Sequence, residues 1–326
     1  MIDWYRMLLL RTIAAAALML LAGCGATEKR ARITIGIAVP GATYLPVYLA
    51  VDDGLLAKEG LQPELVEFRG GADLIKALVA GSVDVGIVGL AEVTAGIDAG
   101  QPLKAFYGGF NVPDFDWYAT GSVKTWAQAK GKRIGVTQYG TTTDFLTRYA
   151  LSSQGIDPVR DAQVIQAGPP TTRLAAMEAG QLDVAIFSAP EKFVAADRGY
   201  TRVYSQKDLM EDYPYHVFVA TEPFLAANPA TVQSVLRAHV SGLRLARRDR
   251  AHSEAALVKR LQLDPKYAAR TYDDVMPYLF EDGRLPKALD LFFDIGIKSG
   301  RYKERWPAAK YWTPLYVDTY PQWKPV

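Results

Sequence analysis

The sequence predicts an α/β protein of two similar three-layer lobes, each with a mainly parallel sheet, joined by two chain crossings. Three observations lead to this prediction. Short apolar runs alternate with segments of helical spacing, which is typical of βαβ units. Segments 99 residues apart resemble each other. Two stretches, 111–117 and 210–215, interrupt the alternation with proline and acidic residues, as crossings between lobes would.

The internal repeat holds at one offset without a gap. The turn around Gly41 and Thr43 matches the turn around Gly140 and Thr142, 99 positions later. Seven of the 16 residues from 77 to 92 also recur at that offset, where unrelated sequence should give about one. Two matching segments predict two lobes with glycine turns at equivalent places.

The chain begins with a segment that is predicted to be a signal peptide over residues 1–23. Arg6 and Arg11 give it a positive start, and the apolar run 13–21 is too short to span a bilayer. The sequence Leu21-Ala-Gly-Cys24 resembles the bacterial lipobox, which implies lipidation of Cys24 and a tether over 24–32. The alternative is an ordinary signal peptide with an incidental cysteine. We expect an extracytoplasmic protein that is anchored to the membrane by lipid.

Composition excludes several classes of function. The 49% hydrophobic and 22% charged residues are those of a soluble globular protein, and the formal charge of +2 does not indicate nucleic-acid binding. Cys24 is the only cysteine of the sequence. The body of the protein is therefore expected to lack disulfides, thiolate metal sites and a cysteine nucleophile, and no metal or cofactor is predicted.

The first lobe is predicted over 33–109 and 216–326. Apolar or alternating runs favour strands at 33–39, 63–68, 83–88, 102–107 and 216–221. Helical spacing favours helices at 45–54, 55–60, 72–80, from 91, 229–248, 253–262, 265–279 and 285–298. The aromatic tail from 301 is expected to wrap a lobe.

The second lobe, 110–215, repeats the plan of the first. Strands are predicted at 133–137, 162–166 and 183–187, and helices begin near 142 and 171. Ligands of parallel sheets lie beyond the carboxyl ends of the strands. We therefore expect the ligand to contact residues at these ends and at the helix starts that follow: Gly41, Thr43, Tyr44, Gly89, Leu90, Gly140, Thr141, Thr142, Thr143, Asp144, Arg173 and Ser188.

The Gly140 turn is the most specific of these predicted contacts. A carboxylate or sulfonate there would meet helix N–H groups and the hydroxyls of three consecutive threonines, so the second lobe is expected to make the polar contacts. Tyr44 would supply apolar or stacking surface from the other side. Other aromatic residues at strand ends and crossings could stack on a planar ligand or pack between the lobes.

Four charged positions have two interpretations each. Asp144 either turns back onto the N–H groups of its own helix or faces the cleft, where it would disfavour a bare anion. Arg173 stands at a helix start, where a cation is unfavourable. A compensating anion is therefore expected beside it, from the ligand or from a nearby acid. Glu92 and Glu191 match by the repeat, but acids at helix starts are common for dipole reasons alone.

The lipobox and the segments 38–50, 54–61, 80–85 and 131–135 together resemble the solute-binding lipoproteins of ABC importers. The resembling branch takes nitrate, aliphatic sulfonates, taurine and thiamine-pyrimidine precursors, and the resemblance covers nearly all of 33–260. It implies the two-lobe periplasmic-binding-protein fold of type II, with a small-molecule ligand between the lobes. It also implies a monomer that delivers its solute to an ABC permease and its ATPase.

The predicted function is capture of a small organic solute, such as a sulfonate or a taurine-like molecule. One alternative is a binder of a planar thiamine-pyrimidine-like precursor. Another is an enzyme on the same scaffold, such as a pyrimidine synthase or a desulfinase. The sequence disfavours an enzyme, because it offers no cysteine nucleophile in the body and no metal-spaced cluster among its three histidines. A ligand-sensing subunit of a membrane receptor stays open as a third possibility.

The lipobox generates a direct test of anchoring. Replacing Cys24 by Ser removes the thiol that would carry the acyl chains, each buried CH₂ of which contributes about 0.8 kcal/mol to membrane binding. We expect the Cys24→Ser protein to be released from the membrane or to stay unprocessed, as fractionation and mass spectrometry would show. A variant that is processed and still membrane-bound would contradict lipidation.

Overall fold

A computed structural model of the chain describes residues 30–111, 114–121, 123–210, 213–285, 289–298 and 300–326. These residues form two α/β lobes, each built on a five-stranded sheet. The predicted signal peptide, Cys24 and most of the tether lie outside the described residues. Within the described ranges, every helix is too short or too polar to cross a membrane.

The two sheets divide the ten strands between them. The first sheet has the order β2-β1-β3-β10-β4, and the second has the order β7-β6-β8-β5-β9. The strands are β1 Ala31–Ile37, β2 Leu61–Glu67, β3 Val85–Gly89, β4 Leu103–Phe110, β5 Asp116–Ala119, β6 Arg133–Val136, β7 Gln163–Gln166, β8 Val184–Phe187, β9 Thr201–Ser205 and β10 His216–Thr221.

The strand directions make both sheets mixed. β1 and β3 pair in parallel, as do β6 and β7 and also β6 and β8. β10 runs antiparallel to both of its neighbours in the first sheet, and β5 does the same in the second. These two strands adjoin the crossings, where the chain passes from one lobe to the other and enters the new sheet in the reverse direction.

Helices cover the sheets and form most of the C-terminal part of the chain. They are α1 Leu45–Asp52, α2 Leu55–Lys58, α3 Gly71–Val79, α4 Leu90–Asp98, α5 Thr142–Ser153, α6 Pro170–Glu178, α7 Glu191–Asp197, α8 Glu222–Ala227, α9 Pro229–Arg248, α10 Arg250–Leu261, α11 Ala268–Val275, α12 Leu289–Lys298, α13 Ala308–Tyr311, α14 Leu315–Asp318 and α15 Tyr320–Trp323. Single 3₁₀ turns lie at Ala42–Tyr44, Trp126–Ala129, Gln206–Asp208, Pro265–Tyr267 and Met276–Tyr278.

The sequence repeat extends to the hydrogen bonds of the two lobes. Asp84 accepts a hydrogen bond from the backbone N–H of Thr34 at 2.7 Å, and Asp183 accepts one from that of Arg133 at 2.9 Å. Both residues of the second pair lie 99 positions after those of the first. In each lobe the aspartate before the central parallel strand therefore holds the start of its neighbour, which explains why this residue recurs in the repeat.

Three parts of the chain differ from the sequence-based prediction. β5 and β9 were not expected: β5 has four residues with an acid at its start, and its strand state depends on pairing along both edges. The predicted helix 265–279 is three pieces, with α11 between two 3₁₀ turns that each contain a proline in their first positions. Residues 286–288 of the predicted helix 285–298 lie outside the described residues.

The C-terminal segment contacts both lobes. Phe292 of α12 stacks on Phe145 of α5 in the second lobe, with ring centroids 5.2 Å apart. The hydroxyl of Tyr302 lies 2.6 Å from that of Thr94 in the first lobe. Further on, the N–H of Thr313 donates to the backbone oxygen of Ala105 in β4. The predicted wrapping of the tail is therefore observed along the first lobe, and α12 adds a contact to the second.

One glycine sets the spacing between α9 and α1. A Cβ added at Gly242 would lie 2.1 Å from the backbone oxygen of Pro46. We expect Gly242→Ala to destabilise the fold by about 1–3 kcal/mol, because the two helices must separate. That loss exceeds the gain of about 1 kcal/mol that alanine brings to a helix interior. Denaturant unfolding measures the change. The half-buried neighbour Ser241→Ala is the matched control, and equal stability of the two variants would contradict close helix packing at Gly242.

Candidate functional site

A small cavity of about 60 Å³ lies between the lobes, at the carboxyl ends of the parallel strands. Its wall is formed by residues of both lobes and of both crossings. The lining residues are Ala38, Val39, Pro40, Gly41, Ala42, Thr43, Tyr44, Glu92, Asp114, Phe115, Thr137, Thr141, Thr142, Thr143, Pro170, Arg173, Ser188, Ala189, Tyr215 and His216.

The structure brings most of the predicted site residues together at this cavity. Those that line it are Gly41, Thr43, Tyr44, Thr141, Thr142, Thr143, Arg173 and Ser188. Gly89, Leu90, Gly140 and Asp144 are not among the lining residues. Gly89 instead marks a close approach of the lobes, because a Cβ there would lie 2.0 Å from the hydroxyl oxygen of Thr142.

The Gly140 turn is stabilised by its own helix. One carboxylate oxygen of Asp144 accepts the N–H of Gly140 at 2.9 Å, and the other accepts Nε of Arg148 at 2.7 Å. The hydroxyl of Thr141 donates to the backbone oxygen of Gln138. Of the two interpretations of Asp144, the structure shows the one in which the side chain turns back onto its own helix.

Thr142 is engaged by a carboxylate of the opposite lobe. Its N–H donates to Oε1 of Glu92 at 3.0 Å, and its hydroxyl donates to Oε2 at 2.9 Å. Glu92 is only 6% exposed and stands in the first turn of α4. Burial raises the pKa of Glu92, while the two hydrogen bonds from Thr142 oppose the rise. The N–H and the hydroxyl of Thr142, which were expected to contact a ligand, therefore form hydrogen bonds within the protein.

Arg173 is a buried cation in the cavity wall. It is 1% exposed, and its guanidinium donates to the backbone oxygen of Ile186 twice, at 2.8 and 3.1 Å, and to Oγ1 of Thr137 at 2.8 Å. It also donates to the backbone oxygen of Gly168. Burial lowers its pKa to about 10, so it remains charged at neutral pH. Among the described residues, every partner that hydrogen-bonds to this guanidinium is a neutral oxygen.

An acid stands near Arg173 without pairing with it. Glu191 begins α7 and interacts with the Arg173 charge, but these two side chains are not among the ion pairs of the described residues. Burial raises the pKa of Glu191 to about 7, and Arg173 only partly opposes this. Near neutral pH Glu191 is therefore partly protonated and balances the guanidinium incompletely.

Aromatic side chains of the first lobe and the return crossing stack on one another. His216 lies between Tyr44 and Tyr215, with ring centroids 4.6 and 3.8 Å away. Burial lowers the pKa of His216 to about 3, so its ring is neutral. The hydroxyl of Tyr44 donates to the backbone oxygen of Ile87 and lies 3.0 Å from Nε2 of the histidine, while Oγ1 of Thr43 lies 3.2 Å from Nδ1. Nε2 then carries the proton and Nδ1 accepts.

A buried ionic cluster lies where the first crossing meets both lobes. Lys192 of α7 contacts Asp114 of the crossing at 2.7 Å and also pairs with Asp274 of α11. Asp114 is 1% exposed and also accepts the N–H of Ala189. Burial raises the pKa of Asp114, Lys192 opposes this rise, and the neighbouring Asp274 adds to it. No group of three or more His, Cys, Asp or Glu in the described residues is arranged to hold a metal ion.

Six lining residues with polar or aromatic side chains were not among the predicted contacts: Glu92, Asp114, Phe115, Thr137, Tyr215 and His216. Thr137 directly follows β6, so the strand-end argument that selected Thr141 could have found it. Asp114 and Tyr215 lie in irregular crossings, which have no periodic pattern. Their place in the wall follows only from the packing of the lobes.

The comparisons with known proteins agree with this geometry. The chain belongs to the NMT1-like family, whose model matches residues 26–259. A Brucella abortus protein named as a binding protein is 29% identical over 192 residues, which is 58% of each chain, so the chain spans less than two thirds of that relative. A 4-amino-5-hydroxymethyl-2-methylpyrimidine phosphate synthase of Uromyces fabae is 31% identical over 123 residues, or 36% of each chain.

Among solved structures, the alkanesulfonate-binding protein SsuA from Xanthomonas axonopodis pv. citri bound to MOPS is similar, with a TM-score of 0.75. The two sequences are 24% identical, and the match covers 87% of this chain and 98% of that one. The chain therefore has the two-lobe fold of periplasmic binding proteins, as the sequence predicted.

The pKa of Glu191 generates a test by pH. A carboxyl whose pKa is higher in the folded than in the unfolded protein contributes most to stability below about pH 4.5, and this contribution is lost as the pH rises through about 7. We expect Glu191→Gln to flatten the fall of the melting temperature between about pH 3.5 and 8, which is one unit beyond the two pKa values, as measured by calorimetry. The exposed acid Glu178→Gln on α6 is the control. An unchanged slope for the Glu191 variant would contradict a buried, unpaired carboxyl.

Proposed function

We propose that the chain is the extracytoplasmic solute-binding lipoprotein of an ABC importer, and that its cleft captures a small organic anion such as a sulfonate or a taurine-like molecule. The two-lobe fold, the enclosed cavity and membership in the NMT1-like family support the general role. The similar SsuA structure, named as an alkanesulfonate-binding protein, supports the proposed class of ligand.

The observation that carries the ligand class is the buried guanidinium of Arg173. A buried charge is unfavourable unless an opposite charge or hydrogen bonds compensate it. Here neutral oxygens fill four of its five N–H positions, and the side chain still adjoins the cavity. An anionic group of the ligand would supply the missing negative charge and accept at least one charged hydrogen bond.

The threonines next to Arg173 extend this anion site. Oγ1 of Thr137 accepts from Arg173, so the Thr137 hydroxyl proton is free to donate towards the cavity. Thr141 and Thr143 also line the wall, with their hydroxyl oxygens 3.2 Å apart. A sulfonate has three equivalent oxygens, so it can accept hydrogen bonds from Arg173 and Thr137 at the same time.

The aromatic wall favours such a ligand over a planar pyrimidine. The rings of Tyr44 and Tyr215 each stack on His216, and Phe115 packs edge-on against Tyr215 with centroids 4.8 Å apart. Because these rings stack on one another within the protein, they present apolar surface to the organic part of a solute. They offer less free ring face on which a planar ligand would stack. The thiamine-pyrimidine precursor remains the second candidate for the same cleft.

The two crossings suit a mechanism in which the lobes close on the solute. In the described chain, the two lobes are linked only by the irregular segments around Asp114 and Tyr215, which allow hinge motion. Cross-lobe contacts such as Gln138 Nε2 to Asp73 Oδ2, at 2.9 Å, form in the closed arrangement. In this proposal the closed, monomeric protein is the form that docks on the permease, with its ATPase behind it, while lipid on Cys24 holds the protein at the membrane.

Arg173→Met tests the proposal, because methionine keeps much of the buried volume and removes the charge. We expect affinity for taurine or ethanesulfonate, measured by isothermal titration calorimetry, to fall about 10- to 150-fold, which is the loss of a charged hydrogen bond of about 1.5–3 kcal/mol.

Arg237→Met is the matched control, since Arg237 pairs with Glu59 away from the cavity and should leave affinity unchanged. Circular dichroism would check the fold of both variants. Tight binding of a sulfonate by the Arg173 variant would place the anion site elsewhere. Binding of a neutral aminopyrimidine alone, unaffected by the variant, would favour the second candidate.

A further inference from the structure

Glu92 reaches from one lobe to the helix start of the other. It belongs to the first turn of α4, yet its two carboxylate oxygens accept the N–H and the hydroxyl of Thr142, the first residue of α5. α5 has 12 residues, and the first N–H groups of such a helix have no partner within the helix itself. The electrostatic field at its N-terminus therefore favours negative charge. The carboxylate therefore stands where an anion bound to this helix would stand.

The lobes leave no room beside this carboxylate. A Cβ added at Gly89 would lie 2.0 Å from Oγ1 of Thr142 and 2.3 Å from Oε2 of Glu92. A Cβ added at Gly71 would likewise lie 2.6 Å from Cγ of Glu92. Two glycines thus permit the close approach, and no external oxyanion fits between Glu92 and Thr142 while the contact is made.

We propose that Glu92 is an internal anion that closes the lobes and determines specificity, by filling the α5 helix terminus that a ligand oxyanion would otherwise occupy. The inference rests on the proposed function in one respect: the anionic group of the solute is then directed to Arg173, on the far side of the threonines. Small inorganic oxyanions are excluded from the N-terminus of α5, and the cleft recognises the organic solute at a separate place, Arg173.

The charges that face Glu92 agree with this role. Arg301 follows α12, and its Nη2 donates to the backbone oxygen of Ala91 at 3.3 Å, so it adds positive potential beside the carboxylate. Tyr44, Tyr213, Tyr215 and Tyr302 are the other titratable groups of the described residues that interact with Glu92. A residue that served only the dipole of its own helix would not require two hydrogen bonds to the opposite lobe.

The test uses inorganic sulfate as the probe and needs no natural ligand. Glu92→Ala vacates the terminus of α5, so the amide of Thr142 should exchange with solvent about tenfold faster or more in hydrogen–deuterium exchange. The radius of gyration in solution scattering should rise as the lobes open. Millimolar sulfate, against chloride at equal ionic strength, should restore Thr142 protection in the variant, but leave Thr142 protection unchanged in the unmodified protein.

Asp98→Ala on the exposed end of α4 removes the same charge without the contact and is the matched control. Thr142→Val keeps the N–H and removes one of the two hydrogen bonds, so it should give a smaller opening and no response to sulfate; it stands in should Glu92→Ala fold poorly. Unchanged exchange and scattering in both variants, or an equal sulfate response in the Asp98 control, would overturn the proposal. Because these readouts use ligand-free protein, they stay informative should no sulfonate bind at Arg173.

Discussion

A buried guanidinium that is bound only to neutral oxygens governs the chemistry of the cleft. Transferring a cation from water to a protein interior costs several kcal/mol even after relaxation, and the hydrogen bonds of Arg173 to Ile186, Gly168 and Thr137 recover part of this cost. Glu191 stands nearby, but burial shifts its own pKa towards the neutral form. The cavity wall thus holds a buried positive charge that its neighbours compensate only in part.

The two lobes contact each other through polar groups around the cavity and through the stacking of Phe292 on Phe145. Glu92 with Thr142, and Lys192 with both Asp114 and Asp274, join groups that would each be costly to bury alone. Such pairs contribute little net stability, because the desolvation of the charges offsets their attraction. These pairs do, however, strongly disfavour any other relative placement of the two lobes. The contact between the lobes is therefore geometrically specific without being strongly favourable.

The repeat reproduces the scaffold of the lobes more closely than the chemistry of the site. Asp84 and Asp183 make the same strand-start hydrogen bond in the two lobes. Glu92 and Glu191 are equivalent in sequence, yet the first bridges to the opposite lobe and the second remains near Arg173. The position equivalent to Arg173 in the first lobe is Leu74, which is buried in the core. Two lobes with the same scaffold thus present different residues to the cavity. The second lobe presents the cation Arg173, and the first presents mainly aromatic rings.

The sequence by itself determined the two lobes, the positions of the main strands and helices and the ends of the strands that face the ligand cavity. It could do so because the two- and 3.6-residue periods and the glycine turns are local properties of the chain. The tertiary structure alone decided that β5 and β9 are strands, that Asp144 bonds to Gly140, and that Glu92 takes the donors of Thr142. The partners of β5, and Glu92 and Thr142, are tens of residues apart in sequence. Their contact depends on how the two lobes meet, and no local pattern in either segment specifies that distance.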